Sequence, residues 1–190
     1  MAYNKVFSEF EVKRTGLLFP QEDEARSIGA VGSLEEVAEV RQVIKKCEGI
    51  ERKRIIRGSG AGTLNLNLHM VYDVFADVFG MKFSELKDGV YAYGADSVHP
   101  TFTLTCLVVD EDGVEKLRAY PNCVATTGFT RTVTNGAEEI AEMTQGYYFM
   151  PDEFDKGVYE CIVSEAADDE ADRVTLIEDW LTNWSYDLVR

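Results

Sequence analysis

The chain has 190 residues and a mass of 21.3 kDa, and its 45% hydrophobic content suits one folded domain with a real core. Its 34 acidic residues outweigh 19 basic ones, and the net charge of −15 argues against nucleic-acid binding by wrapping of phosphates. No apolar run reaches the length of a membrane span and the first fifteen residues lack the apolar stretch of a signal peptide, so the expectation is a soluble cytoplasmic protein.

Residues 1–35 carry scattered apolar side chains and then the polar, glycine-bearing "PQEDEARSIGAVGS", which reads as an amino-terminal arm and loop. From Leu34 to Ile56 two strands are expected, near 36–47 and 50–57, joined at Glu48-Gly49; Val37, Val40, Val43 and Ile44 would also suit a helix. Within this stretch Arg41, Lys45, Lys46, Arg52, Lys53, Arg54 and Arg57 form a basic run, whereas the chain after Asn135 is acidic. A solvated strand face accounts for such a run. So does a contact between the basic patch of one copy and the acidic patch of another, a heterologous arrangement that builds rings or tubes.

"GSGAG" at 58–62 places glycine at every second position. A phosphate-cradling loop leads into a helix, but here the strict alternation from Thr63 to Met70 has the period of a strand, and no Gly-Lys-Ser/Thr terminus follows. The glycines therefore read as a turn or an edge kink that needs positive φ. Next, Val71, Val74, Phe75, Val78 and Phe79 recur at helical spacing, with Gly80 as the stop.

Strands return at 101–109 and 114–120, with Asp110–Gly113 as the hairpin turn. A calcium loop would need its glycine sixth and a glutamate twelfth, and those places do not match. Two further strands are expected near 123–133 and 138–149 around the hairpin dipeptide Asn135-Gly136, and another near 157–165. The acidic "AADDEAD" leads to a last helix bearing Leu176, Ile177, Trp180, Leu181 and Trp184; Asp168, Asp169, Glu170 and Asp172 read as solvated rather than metal-ligating.

Little here suggests chemistry. His69 sits on the polar face of a strand and His99 precedes a proline, serines have no nucleophile-elbow context, and no cysteine has a catalytic signature. Cys47, Cys106, Cys123 and Cys161 form no C-x-x-C pair and read as reduced residues inside strands. The expectation is a protein that is not an enzyme and has no cofactor, metal or catalytic residue.

A β-rich, acidic chain with one embedded helix and split charge resembles the major tail protein of long-tailed bacteriophages, the tail tube subunit. The likeness rests on "GAGTLNLNLHMVYDVFADVFG" and "KLRAYPNCVATTGFTRTVTNGAEEIAEMT", about the central half of the chain. It implies a mainly β fold with one or two helices, a β-sandwich or flattened barrel of tail-tube type with a flanking α-helix. It also implies stacked hexameric rings around a negatively charged lumen through which viral DNA passes without specific binding, in a virion tail assembled in the bacterial cytoplasm. Other tail components, such as a tape measure and a terminator, become the further partners, and no membrane is involved. Many members carry an immunoglobulin-like extension for which this chain has no room after Arg190, and the end "LIEDWLTNWSYDLVR" has no assigned counterpart.

The expected organisation is an arm and loop at 1–35, a β-sandwich at 36–165, and an acidic loop with a carboxyl-terminal helix or extension at 166–190. Assembly is expected to use open strand edges completed by neighbours. The stretch 63–70, with Asn65 and Asn67, and a strand between 123 and 149 are expected to line the lumen or close the ring. The basic run 41–57 is expected to stack against the acidic carboxyl-terminal third. The competing expectation is a monomeric or dimeric β-sandwich that binds a small molecule or peptide, or a related tube or connector component.

Overall fold

The computed structural model describes residues 3–136, 138 and 140–190. In chain order it contains β1 (Glu9–Leu18), β2 (Gly29–Cys47), β3 (Ile50–Met70), α1 (Tyr72–Val78), β4 (Phe102–Asp110), β5 (Glu115–Ala125), β6 (Met143–Phe149), β7 (Tyr159–Ile162), α2 (Val163–Ala166) and α3 (Glu170–Thr182). All strand pairs are antiparallel, in the spatial order β1-β4-β5-β6-β3-β2 with β7 beside β5. Strands account for 44% of the chain, and the sheet does not close into a barrel. The mainly β, sandwich-like fold with flanking helix is the one expected.

Two cores share the sheet. On one side Leu17, Leu64, Leu66, Leu68, Leu104, Cys106 and Tyr120 pack with Val74, Phe75, Val78 and Phe79 of α1. On the other, Leu107, Leu117 and Ala119 pack against Ile177, Trp180, Leu181 and Trp184. Because β4 and β5 are covered on both faces, their sequences are nearly continuous in apolar residues, whereas β3 has one covered face over 63–70 and alternates. The carboxyl-terminal helix is thus part of the fold: Trp180 donates its indole N–H to the Arg118 carbonyl at 3.0 Å. Its start is capped by Asp169, which accepts from the Asp172 N–H at 2.9 Å. Where α3 meets β1, a Cβ at Gly16 would stand 2.1 Å from the Leu181 oxygen, so only glycine fits.

Several expected boundaries change. Residues 9–18, expected within an arm and loop, form β1, and Leu17, Phe19 and Ile28 belong to the core; residues 1 and 2 of that arm lie outside the described residues. The alternation of Phe10 and Val12 with Glu9, Glu11 and Lys13 was the available signal. The expected strands at 50–57 and 63–70 are one strand, because Gly58, Gly60 and Gly62 lie inside β3. They kink it instead of turning it. Between the pairs Ala38↔Gly62 and Val40↔Gly58, three residues of β3 oppose one of β2, and Gly60 takes φ +76° at this bulge. The expected strands at 123–133 and 138–149 shrink to the end of β5 and to β6; among the described residues 126–142 carry no strand, and residues 137 and 139 lie outside them. Asn135-Gly136 is a turn in that loop, with no paired strands flanking it. The strand expected at 157–165 is β7 followed directly by the short α2.

Candidate assembly surfaces

β6 pairs with β3 only from Gly62 to Leu68. Beyond Gly62, β2 and β3 continue alone as a two-stranded ribbon, which we call the arm, out to a tight turn at Glu48 (φ 53°) and Gly49 (φ 78°). With about eight paired residues a side at roughly 3.3 Å each, it extends roughly 25 Å past the sheet. Its side chains are bare. Val40, Val43, Ile44, Ile50 and Ile56 are 42–56% exposed, while Leu64, Leu66 and Leu68 on the same strand within the body are fully buried.

The register sorts the expected basic residues into two faces, since directly opposed residues lie on the same side of a ribbon. One face carries Arg41 opposite Arg57, then Val43 opposite Ile55, then Lys45 opposite Lys53. Four cations thus surround one apolar pair, and like charges placed directly opposite each other are unfavourable in the isolated ribbon. Among the described residues none of the four makes an ion pair. The other face carries Val40, Gln42 opposite Ile56, and Ile44 opposite Arg54. There Arg54 is neutralised by Glu51 at 2.8 Å and donates to Gln42 at 3.3 Å, and Lys46 is opposite Glu51. A register shift leaves Arg52 without an opposite residue.

Asn65 and Asn67 lie apart from this group, on the outer face of the body. Asn67 donates to Ser33 at 2.9 Å and accepts from Thr144 at 2.6 Å; Asn65 donates to Glu35 at 3.3 Å. Cross-strand rows Ser33–Asn67–Thr144 and Glu35–Asn65–Gly146 make a polar carpet over β2, β3 and β6 that carries the Glu35 carboxylate. Over residues 62–68 both backbone edges of β3 are hydrogen-bonded to neighbours, so this stretch offers a partner its side chains and not its edge. Besides β7 and the arm portion of β3, open edges belong to β1 and β2, the two end strands. They face each other without a ladder, leaving clefts of about 430 and 140 Å³ lined by Glu9, Phe10, Val12, Val31, Leu34 and neighbouring residues.

A buried charge cluster sits at the larger cleft. Arg118, 8% exposed, bonds to Glu9 and to Glu160 at 2.7 Å, and Lys116 bonds the same two carboxylates at 2.7 and 3.0 Å. The Tyr120 hydroxyl, which burial above all keeps protonated, donates to Glu36 at 2.7 Å and so ties β2 to β5 across the fold. Burial opposes charge on Glu160, yet the hydrogen bonds from Arg118 and Lys116 outweigh it and hold its carboxyl below the ordinary glutamate range. Sequence reasoning missed this cluster because its members lie 42 to 109 residues apart.

Of the histidines and acids weighed for chemistry, His99 and Asp110 have structural partners. His99 bridges the Ala125 carbonyl at 2.9 Å and the Tyr93 hydroxyl at 3.2 Å, and His69 is exposed at the end of β3. Asp110 accepts from the Asp112 and Val114 N–H groups at 3.0 and 2.7 Å, closing the β4–β5 hairpin. Of the cysteines, Cys106 and Cys123 are buried in strands as expected, but Cys47 is exposed at the arm's tip. No family model matches the chain, and no curated protein matches it.

Proposed function

We propose that this chain is a structural subunit that polymerises through its arm, as the tail tube subunit of a long-tailed bacteriophage does, and that it performs no catalysis. The observation that carries the reading is the arm itself. A two-stranded ribbon with both faces in water is marginal on its own, and each of these roughly half-exposed Val or Ile side chains forgoes roughly 1 kcal/mol of burial. Five such residues on a projecting ribbon make sense when a neighbouring copy covers them.

Two further features support a tube. The polar carpet around Asn65 and Asn67 is suited to a lumen past which DNA slides, since it offers no array of cations to release phosphate counterions. The unpaired edges of the arm, on β2 and on β3 beyond Gly62, are available for strand addition between copies. On this reading the protein resides in the virion tail, its principal partner is itself, and tape-measure and terminator components bind the finished tube.

Electron microscopy of the purified full-length chain tests the reading. Rings or tubes about 100 Å wide, the size expected for several subunits of this mass around a pore, are the predicted outcome. A monomer at every concentration overturns it.

A further inference from the structure

The body of the chain offers a counterpart to the arm's four-cation face. Between the β4–β5 turn and the start of α3 lies a cleft of about 410 Å³. Its apolar lining is Val114, Val163 and Ala167. Carboxylates line the cleft from two elements: Asp112 on the turn, and Asp168, Asp169 and Glu170 at the start of α3. The cation at the cleft, Arg173, is already engaged by Glu115 through two bonds of 2.6 Å. Glu170 also pairs with Arg173 and Asp169 caps α3, whereas among the described residues Asp112 and Asp168 have no ion pair.

The two surfaces combine apolar residues with charge of opposite sign. On the arm, a cation row, an apolar pair and a second cation row follow one another at roughly 7 Å intervals, two residues of strand per step. In the cleft, the apolar Val114, Val163 and Ala167 are accompanied by Asp112 from the turn and Asp168 from the start of α3. We infer that the cationic face of the arm seats in the β4–β5/α3 cleft of a second copy, with Val43 and Ile55 over Val114 and Val163. This deepens the polymerisation reading and rests on it. It also explains why like charges are tolerated opposite each other on the arm: an acidic partner removes the repulsion when the copies meet. A phosphate backbone would satisfy the cations but offers nothing to the apolar pair between them, and a chain of net charge −15 repels it.

A designed thiol pair provides the probe, with the exposed Cys47 at the arm's tip removed as Cys47→Ser. In the full-length V43C/S164C variant on that background, mild copper–phenanthroline oxidation is expected to give a disulfide between position 43 of one copy and position 164 of another, because the pose brings Val43 over Val163 and a disulfide needs Cα atoms within about 7 Å. Restoring either Val43 or Ser164 should abolish it. K45E/K53E and D112K/D168K should each cut its yield about tenfold, a loss of about 1.4 kcal/mol in contact free energy, and the two pairs combined on one chain should restore it. Circular dichroism confirms that each variant is folded. The inference is overturned if the disulfide does not form, if D112K/D168K leaves it unchanged, or if Lys45 and Lys53 instead retain duplex DNA. Normal tubes without the disulfide would sink the cleft assignment and leave polymerisation standing; the disulfide without rings or tubes would do the reverse.

Discussion

Glu160 shows what single residues contribute here. Its folded-state pKa is depressed, so the stability it supplies is complete above the unfolded-state value of about 4.3 and is lost as pH falls through the lower folded value. The urea midpoint of the wild type should therefore be level above about pH 5 and drop below about pH 4. In Glu160→Gln the midpoint at neutral pH should be lower and the acid drop shallower; an unchanged acid limb would show that the Arg118 cluster is not its source. Such clusters are illegible in sequence because no local pattern joins Glu9, Glu36, Lys116, Arg118 and Glu160. The glycines at 58–62 were legible in type but not in place. Alternation after them announced a strand, but nothing local said that pairing with β2 would carry that strand through them.

At the scale of elements, the arm is separable from the body. Its residues contribute nothing to either core, and the two strands have their own turn. Replacing residues 40–58 with a short turn should leave the thermal midpoint of the body within a few degrees, since exposed positions far from a core usually shift stability by only about 0.5 kcal/mol or less each. The same truncation should abolish particles larger than a monomer in sedimentation; polymers that survive it would dismiss the arm as the joint. The long helical and β-rich segments were readable from periodicity, as α1, α3 and the β4–β5 hairpin attest. The loop at 126–142 was not, because its Thr-rich run and Asn-Gly turn fit a hairpin locally while the sheet leaves it unpaired.

For the whole molecule, charge is segregated: seven cations lie in 41–57 of a chain with net charge −15. Contacts between exposed charges weaken once the screening length shrinks from about 14 Å near 0.05 M salt to about 4 Å near 0.5 M. The concentration needed for half-maximal assembly should accordingly rise several-fold over that range, as measured by light scattering; a fall would mark apolar contacts as the dominant force. The bulge at the arm's root governs a different matter, the permitted lengths of this chain. Side chains along a ribbon swap sides at each step, so dropping one residue near Ser59 would turn Arg57 and Ile55 toward the opposite side while β2 stays put. Natural length variation in the outer half of this ribbon is then expected in even steps, shared equally between the two strands.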